Sequence, residues 1–381
     1  MSAQLTLDEL GRTTWARQLL LSRAEGTVAD VVGAVGGLQA QHPDMPSTAL
    51  WARRAGTSTT DLDDALAERE VVRATVMRST LHVVPVARWA DLDAVSAAER
   101  LATWRASARR AGVDLVELNA GVRELCRTGP RTVDEIEAFA AERHPGVDVV
   151  AAVPGGVSRP WWRLASAGGG LVRLPGSHPS AADAPASSVE GASWCGVSEE
   201  PDLDAARVRA VVGYLRAFGP ASRADVGHGL GIRRATPLKA ALAEIGPRVL
   251  SGPDGTELLD LPDGEVVTAD VAAPVRFLPR WEHLLVALKD RGRFLDDAGA
   301  AAVYRRNGDI LPTCWVDGRV VGTWAVDVTG DRATLAVTPT ATAPELTAAL
   351  RDELVAEGTR LVDRIAPDAA ERTVTWSRPA G

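Results

Sequence analysis

Three helical segments followed by a β-hairpin recur along this chain. A Gly-Pro-x-[Ser/Thr] element stands inside two of the repeats, at residues 129 and 219, and from about residue 275 the texture changes to short strands around Asp317-Gly318. Together these observations predict an α+β fold: three tandem winged helix-turn-helix units followed by a small β-barrel-like C-terminal domain. The expected boundaries are 1–112 for the first unit, 113–175 for the second, a loop over 176–202, 203–272 for the third unit and 273–381 for the C-terminal domain.

The first unit reads as helices over 15–22, 27–38, 47–55 and 61–68, then two β-rich runs over 71–77 and 81–86 and a long helix over 91–112. Val28, Val31, Val32, Val35 and Leu38 recur at three- and four-residue steps behind a capping Thr27, the pattern of one apolar helix stripe. The second unit has a helix over 118–128 ending in Gly129-Pro130, a helix opened by Thr132, and Trp161-Trp162-Arg163-Leu164 leading into a strand over 171–174. The third is the plainest. A helix over 207–218 ends in Gly219-Pro220, Ser222 caps the next over 223–229, and Thr236-Pro237 opens one to residue 245 with proline where no amide is needed. A hairpin turning at Gly252-Pro253-Asp254-Gly255 closes it. Residues 176–202, rich in Ser, Ala, Gly and Pro, read as a loop. Beyond it, runs over 310–316 and 319–326 flank Asp317-Gly318 as a hairpin, and a strand over 332–337, a helix over 343–356 and a strand over 373–376 complete the chain.

The 381 residues suit several domains and a sizeable core, and hydrophobic residues at 46% with charged residues at 24% are ordinary for a globular protein. No apolar run approaches the roughly 20 residues of a membrane span, and residues 1–10 lack the pattern of a signal peptide. A cytoplasmic protein without a membrane partner is expected. Cys126, Cys195 and Cys314 are odd in number and far apart, which argues for buried thiols and against a disulfide framework or a zinc site, so neither metal nor cofactor is expected. Net charge is −8, yet residues 71–110 hold seven arginines against three acids, and residues 203–247 hold seven cations against three acids. That distribution suits nucleic acid better than the total does.

The candidate active site lies in Gly36-Gly37-Leu38-Gln39-Ala40-Gln41-His42-Pro43. Gln39 and Gln41 would diverge by about 200° on a helix, so they converge only where the helix has ended. Gly33, Gly36 and Gly37 each weaken it by roughly 1 kcal/mol relative to alanine, and Pro43 steers His42 away from helical geometry. An extended Gln39-Ala40-Gln41 points both amides the same way. A solvated polar pair at a helix end is the plain alternative, which spacing alone favours.

Winged helices by themselves suggest DNA binding and regulation. Leu-Gln-Ala-Gln at 38–41, Arg-Ser-Thr-Leu-His at 78–82, Tyr-Leu-Arg-Ala-Phe-Gly-Pro-Ala at 214–221, Leu-Pro-Arg-Trp-Glu-His-Leu-Leu at 278–285 and Val-Asp-Gly-Arg-Val-Val-Gly-Thr-Trp at 316–324 say more. As a set they resemble the bacterial AlkZ/YcaQ family of winged-helix DNA glycosylases, over nearly the whole chain. The resemblance implies that Gln39 and Gln41 are the catalytic pair, in the Gln-x-Gln branch that includes actinobacterial enzymes of self-resistance to DNA-alkylating antibiotics. One departure is Gly227-His228-Gly229-Leu230-Gly231, where a stretch containing Trp is expected.

Two neutral amides cannot act as a general base near pH 7. Guanine alkylated at N7 already carries positive charge and departs neutral, so the site need only place a water behind C1′ and stabilise the sugar cation. The expected substrate is double-stranded DNA containing alkylated purines, bulky adducts and interstrand crosslinks included, met by a monomeric, nucleoid-associated enzyme. Arg78, His82, Arg105, Arg109, Arg233, Arg234 and Lys239 are the candidate DNA-binding residues, each cation weighed against a solvated surface charge. For His82, inside a β-run, a hydrogen-bonded structural histidine is the plainer reading, and His42 is a candidate neighbour of the site. A transcription regulator without catalysis is the competing function, disfavoured by three tandem units and no coiled-coil dimerisation segment. A drug-sequestering protein is the third reading. Release of 7-methylguanine from DNA separates all three.

Overall fold

The computed structural model describes residues 4–42, 44–176 and 186–377 as a mixed α+β chain. Its first helix, Leu7–Arg17, starts earlier than the apolar pattern over 15–22 suggests, because Thr6 and Glu9 cap each other's backbone in a capping box. Trp15 on that helix is fully buried with its ring 5.7 Å from that of Trp315, so the N-terminus packs against the C-terminal sheet. The second helix is shorter than the stripe over 27–38. It runs Val28–Ala34, capped by Thr27 and Asp30, and the chain then turns through Gly36 and Gly37 at φ of +81° and +95°. Leu38 keeps its core position from a strand.

A six-stranded antiparallel sheet holds the front of the molecule, in the order Leu38–Gln39, Leu81–Pro85, Val71–Thr75, Leu171–Arg173, Ser187–Glu190, Arg131–Thr132. It crosses the boundary expected at 112/113, since strands from both sides share one hydrogen-bonded ladder. Part of the segment expected as a loop over 176–202 carries the strand Ser187–Glu190 and the short helix Gly191–Cys195, and residues 177–185 of it lie outside the described residues. The long helix Val86–Ala111 starts directly after Pro85, whose φ of −59° leads into a helix, and ends on left-handed Gly112.

Behind the sheet, the helices Leu203–Phe218, Arg223–Leu230 and Ala235–Ile245 precede the hairpin Arg248–Ser251 and Glu257–Asp260. Ser222 caps the second of these helices with Asp225, and Thr132 caps its counterpart Val133–Arg143 with Glu135, as the two Gly-Pro-x-[Ser/Thr] elements predict. One large core cluster runs from Trp15 through Val211 and Phe218 to Trp315 and Leu361, with smaller clusters around Val32 and Leu118.

The C-terminal strands form no closed barrel among the described residues. They make an open sheet ordered Glu371–Trp376, Arg332–Pro339, Arg319–Thr329, Thr313–Val316, Arg276–Leu278. The first two are parallel, which demands a crossover, and the helix Ala348–Ile365 supplies it by lying over the sheet. Strand spacing alone could not show that the edges stay apart.

Candidate active site

The glycine turn at 36–37 exists because nothing larger fits. A Cβ on Gly37 would lie 3.1 Å from Val84 Cγ1 and 3.2 Å from the carbonyl of Val83. Released from the helix, the chain pairs with the strand Leu81–Pro85, with Leu38 opposite Val83 and Gln39 opposite His82, and Ala40 N–H donates to the Leu81 carbonyl at 2.8 Å. A strand that ends at Gln39 and bends at Gln41 brings the two amides together: Gln39 Nε2 donates to Gln41 Oε1 at 2.8 Å. They differ in depth. Gln39 is 3% exposed, whereas Gln41 faces solvent.

Arg78 completes the cluster. It lies in the 3-10 turn Met77–Ser79, with φ of +56° at Arg78 and +59° at Ser79, a conformation non-glycine residues adopt only when their surroundings enforce it. Its NH2 group donates to Gln39 Oε1 and to His82 Nε2, each at 2.9 Å, and its NH1 group donates to the Gly229 carbonyl at 2.6 Å. A guanidinium cannot accept, so His82 Nε2 is the acceptor and His82 Nδ1–H donates to the Thr80 carbonyl at 3.0 Å. His82 is 1% exposed. Its burial, helped by the Arg78 charge, holds its pKa well below the ordinary histidine value, which agrees with that neutral tautomer. Burial pulls Arg78 down to about 10, so it remains a cation at neutral pH.

The sequence-predicted residues divide accordingly. Gln39, Gln41, Arg78 and His82 meet in one hydrogen-bonded cluster. Half-buried Arg78 turns its terminal nitrogens inward onto Gln39, His82 and Gly229, and His82 is the interior hydrogen-bonding histidine of the plainer reading. His42 is partly exposed beside the pair, with Nδ1 3.9 Å from Asp44 Oδ2, and Pro43 lies outside the described residues.

Arg105, Arg109, Arg233, Arg234 and Lys239 are all exposed. Arg105 and Arg109 stand one turn apart on the helix Val86–Ala111. Glu99 of the same helix accepts from the backbone N–H of Arg233 at 3.2 Å and pairs with the Arg234 guanidinium at 3.3 Å, which seats 233–234 on the helix that carries Arg105 and Arg109. Lys239 belongs to the helix Ala235–Ile245. Sequence reasoning missed the Gly229 carbonyl, because any residue offers one and only the fold chooses which.

Below the cluster, His283 Nε2 meets Gln18 Oε1 at 2.5 Å, and Glu282 pairs with Arg53 at 2.7 Å with both side chains fully buried. Burial, then the charges of Arg53 and Arg78, holds the His283 pKa well below the ordinary value. The hydrogen bonds of Gln39, Gln41, Arg78 and His82 include no carboxylate among the described residues. No group of three His, Cys, Asp or Glu that could hold a metal occurs there either.

A family model described as DNA glycosylase AlkZ-like matches residues 32–363. Among solved structures, the Streptomyces sahachiroi DNA glycosylase AlkZ superposes with a TM-score of 0.78 at 21% identity, covering 98% of this chain and 100% of that one, a likeness of fold. No match is found among curated proteins.

Proposed function

We propose that this chain, which belongs to the AlkZ-like DNA glycosylase family, hydrolyses the N-glycosidic bond of cationic N7-alkylpurines in double-stranded DNA, with Gln39 and Gln41 as its catalytic pair. Membership of that family sets aside the regulator and the drug-sequestering protein. The observation that carries the finer reading is the hydrogen-bonded amide pair at the mouth of a cluster without a carboxylate.

A glycosidic bond to an intact purine breaks only when the leaving base is protonated, and a neutral amide has no proton to give at neutral pH. His82 is buried and neutral, and Arg78 is a cation that does not release its proton there. Chemistry at this site is therefore restricted to substrates that supply their own activation. An N7-alkylguanine does, because breaking the bond neutralises its ring. What remains is to hold a water behind C1′ and to oppose the charge growing on the sugar, tasks for fixed dipoles. Gln41 is the exposed member, its NH2 group without a protein partner among the described residues, and Gln39 fixes it from beneath.

In the same reading, each of residues 1–112, 113–175 and 203–272 is a winged helix-turn-helix unit. Together they give an open surface that accepts bulky adducts and crosslinks, with Arg105, Arg109, Arg233, Arg234 and Lys239 as phosphate contacts of a monomeric, nucleoid-associated enzyme. Incubation with a duplex bearing one 7-methylguanine, followed by alkaline cleavage at the abasic site, tests the activity. Strand cleavage in the modified duplex and none in the unmodified one is expected. No cleavage of either refutes the assignment of cationic N7-alkylpurines.

A further inference from the structure

We propose that Arg78 is the positioning residue that fixes which atoms the two glutamines present to DNA, and that the glycine-rich turn of the third helical unit is its seat; this rests on the reading of Gln39 and Gln41 as the catalytic pair. The argument begins with an ambiguity built into amides. A glutamine side chain turned by 180° puts its nitrogen where its oxygen was, with every heavy atom nearly in place, so an isolated Gln39–Gln41 pair could run in either direction. Only a partner with fixed donor character removes the choice.

Arg78 is that partner. Its guanidinium donates and never accepts, so the Gln39 atom 2.9 Å from it must be Oε1. Gln39 Nε2 then faces Gln41, and the Gln41 atom receiving it at 2.8 Å must be Oε1. One cation thus sets the sense of the whole chain, Arg78 to Gln39 to Gln41. With Arg78 neutral or absent, the reversed chain becomes equally good, and a fraction of molecules would present the wrong atoms.

The third unit holds the cation. Gly229, whose carbonyl accepts from Arg78 NH1, lies in the last turn of the helix Arg223–Leu230, where the helix dipole favours a positive charge. The fit leaves no room for side chains. A Cβ on Gly231 would lie 2.8 Å from the backbone nitrogen of Arg78, at a φ of +75°, and one on Gly229 would lie 2.1 Å from the Tyr214 ring. Tyr214 Oη donates to the Ala287 carbonyl at 3.0 Å, and His228 Nε2 lies 2.9 Å from the Val286 carbonyl, which ties the turn to the segment beyond it. Within Gly227-His228-Gly229-Leu230-Gly231, the Gly229 carbonyl and the bare Cα of Gly231 are thereby the close approach to Arg78, and the left-handed backbone at 78 and 79 is the shape that reaches them.

The test is a double-mutant cycle read on three quantities: single-turnover rate on 7-methylguanine duplex, Kd for the same duplex, and Tm. Arg78→Met is expected to slow the chemical step at least tenfold while changing Kd less than threefold. In a Gln39→Ala background the same substitution should cost less than a further twofold, because its effect passes through Gln39. Rate losses that multiply would make Arg78 a general structural support and overturn the proposal. So would an unchanged rate at saturation with weakened, less salt-dependent binding, the signature of a phosphate contact.

If Arg78→Met does not fold, Gln39→Glu decides. Its carboxylate keeps the Arg78 partner and the fold, but has no N–H for Gln41, so Gln41 must turn round; a rate at least tenfold below wild type with Tm held or raised supports the proposal, and a wild-type rate overturns it. The two readings fail separately. Gln41→Ala at full rate would end the catalytic assignment itself, whereas loss in Gln41→Ala with full rate in Arg78→Met ends only this inference.

Discussion

Gln39→Ala and Gln41→Ala should part company in stability while agreeing in rate. Gln39 is 3% exposed and accepts a charge-assisted hydrogen bond from Arg78 at 2.9 Å, so truncation withdraws one acceptor from a half-buried guanidinium. Bonds of that kind contribute about 1.5–3 kcal/mol. The lower end applies, because Arg78 keeps Gly229 and His82 as partners and the cavity opens toward exposed Gln41. With an unfolding entropy of roughly 2.1 cal/mol/K per residue, a loss of about 1.5–2 kcal/mol in a chain of 381 residues lowers Tm by about 2 °C if it unfolds as one unit. Gln41→Ala exchanges one exposed amide bond for water and should move stability by less than about 0.5 kcal/mol. Both should slow single-turnover release of 7-methylguanine at least tenfold, about 1.4 kcal/mol of transition-state stabilisation, with DNA affinity little changed. The measurements are single-turnover base release at saturating enzyme, anisotropy binding and thermal melting on the same preparations. A wild-type rate in either variant removes the catalytic assignment, and an unchanged Tm in Gln39→Ala means the Arg78 bond contributes nothing in solution.

Gln41→Asp should remain active and acquire a pH dependence, its rate rising with pH as a carboxylate whose pKa is raised by nearby phosphates ionises; the wild type should be flat from pH 6 to 9, since His82 stays neutral and Arg78, at about 10, stays charged. A folded, DNA-bound but inactive Asp variant would mean that the amide N–H at 41 donates a required bond. Stability should also fall on mild acidification. His82 and His283 are neutral in the native protein chiefly through burial, while in the unfolded chain they bind protons near pH 6.5, so their contribution is complete above 6.5 and lost as pH falls below it. Each can contribute at most about 1.4 kcal/mol per pH unit; urea midpoints at pH 5.5, 6.5 and 7.5 measure the slope, and equal midpoints at 5.5 and 6.5 refute it.

Local physics made part of this legible in the residue order. Thr27, Thr132 and Ser222 announce their helices because capping needs only a hydroxyl and a nearby carboxylate, and all three form capping boxes. The convergence of Gln39 and Gln41 follows from glycines at 36 and 37 that end the helix, two adjacent facts on a short stretch. Thr6 and Glu9 carried the same capping signal for the first helix, where the apolar run further on drew the boundary too late. What stayed hidden depends on distant partners. Gly229 is 151 residues from Arg78, and no periodicity marks a carbonyl as a seat for a guanidinium. Ser187–Glu190 has a single apolar residue, Val189, which is only partly buried beside buried Ser188, and it becomes a strand because Leu171–Arg173 offers it an edge. The open C-terminal sheet likewise depends on where the helix Ala348–Ile365 lies, which strand spacing does not encode.

A half-buried cation is an unexpected neighbour for a site proposed to stabilise positive charge on a sugar, and the geometry shows why it is tolerated. The Arg78 charge is received by the Gly229 carbonyl, the Gln39 carbonyl and the neutral His82 ring, three acceptors inside the protein. At roughly 7 Å and an effective dielectric near 20, a unit charge still acts with about 2 kcal/mol, so its sign is felt. Its effect on the amides is directional. Donation into Gln39 Oε1 strengthens the Gln39 N–H as a donor, which in turn strengthens the Gln41 N–H and leaves the Gln41 carbonyl a weaker acceptor than a free amide. Water held by Gln41 Oε1 and a DNA oxygen met by Gln41 Nε2–H are thus pulled in opposite senses by the same arginine. Gln41→Asp separates them: it keeps an acceptor for Gln39 and deletes the N–H. Retained activity gives the chemistry to the oxygen, and its loss gives it to the donor that Arg78 strengthens.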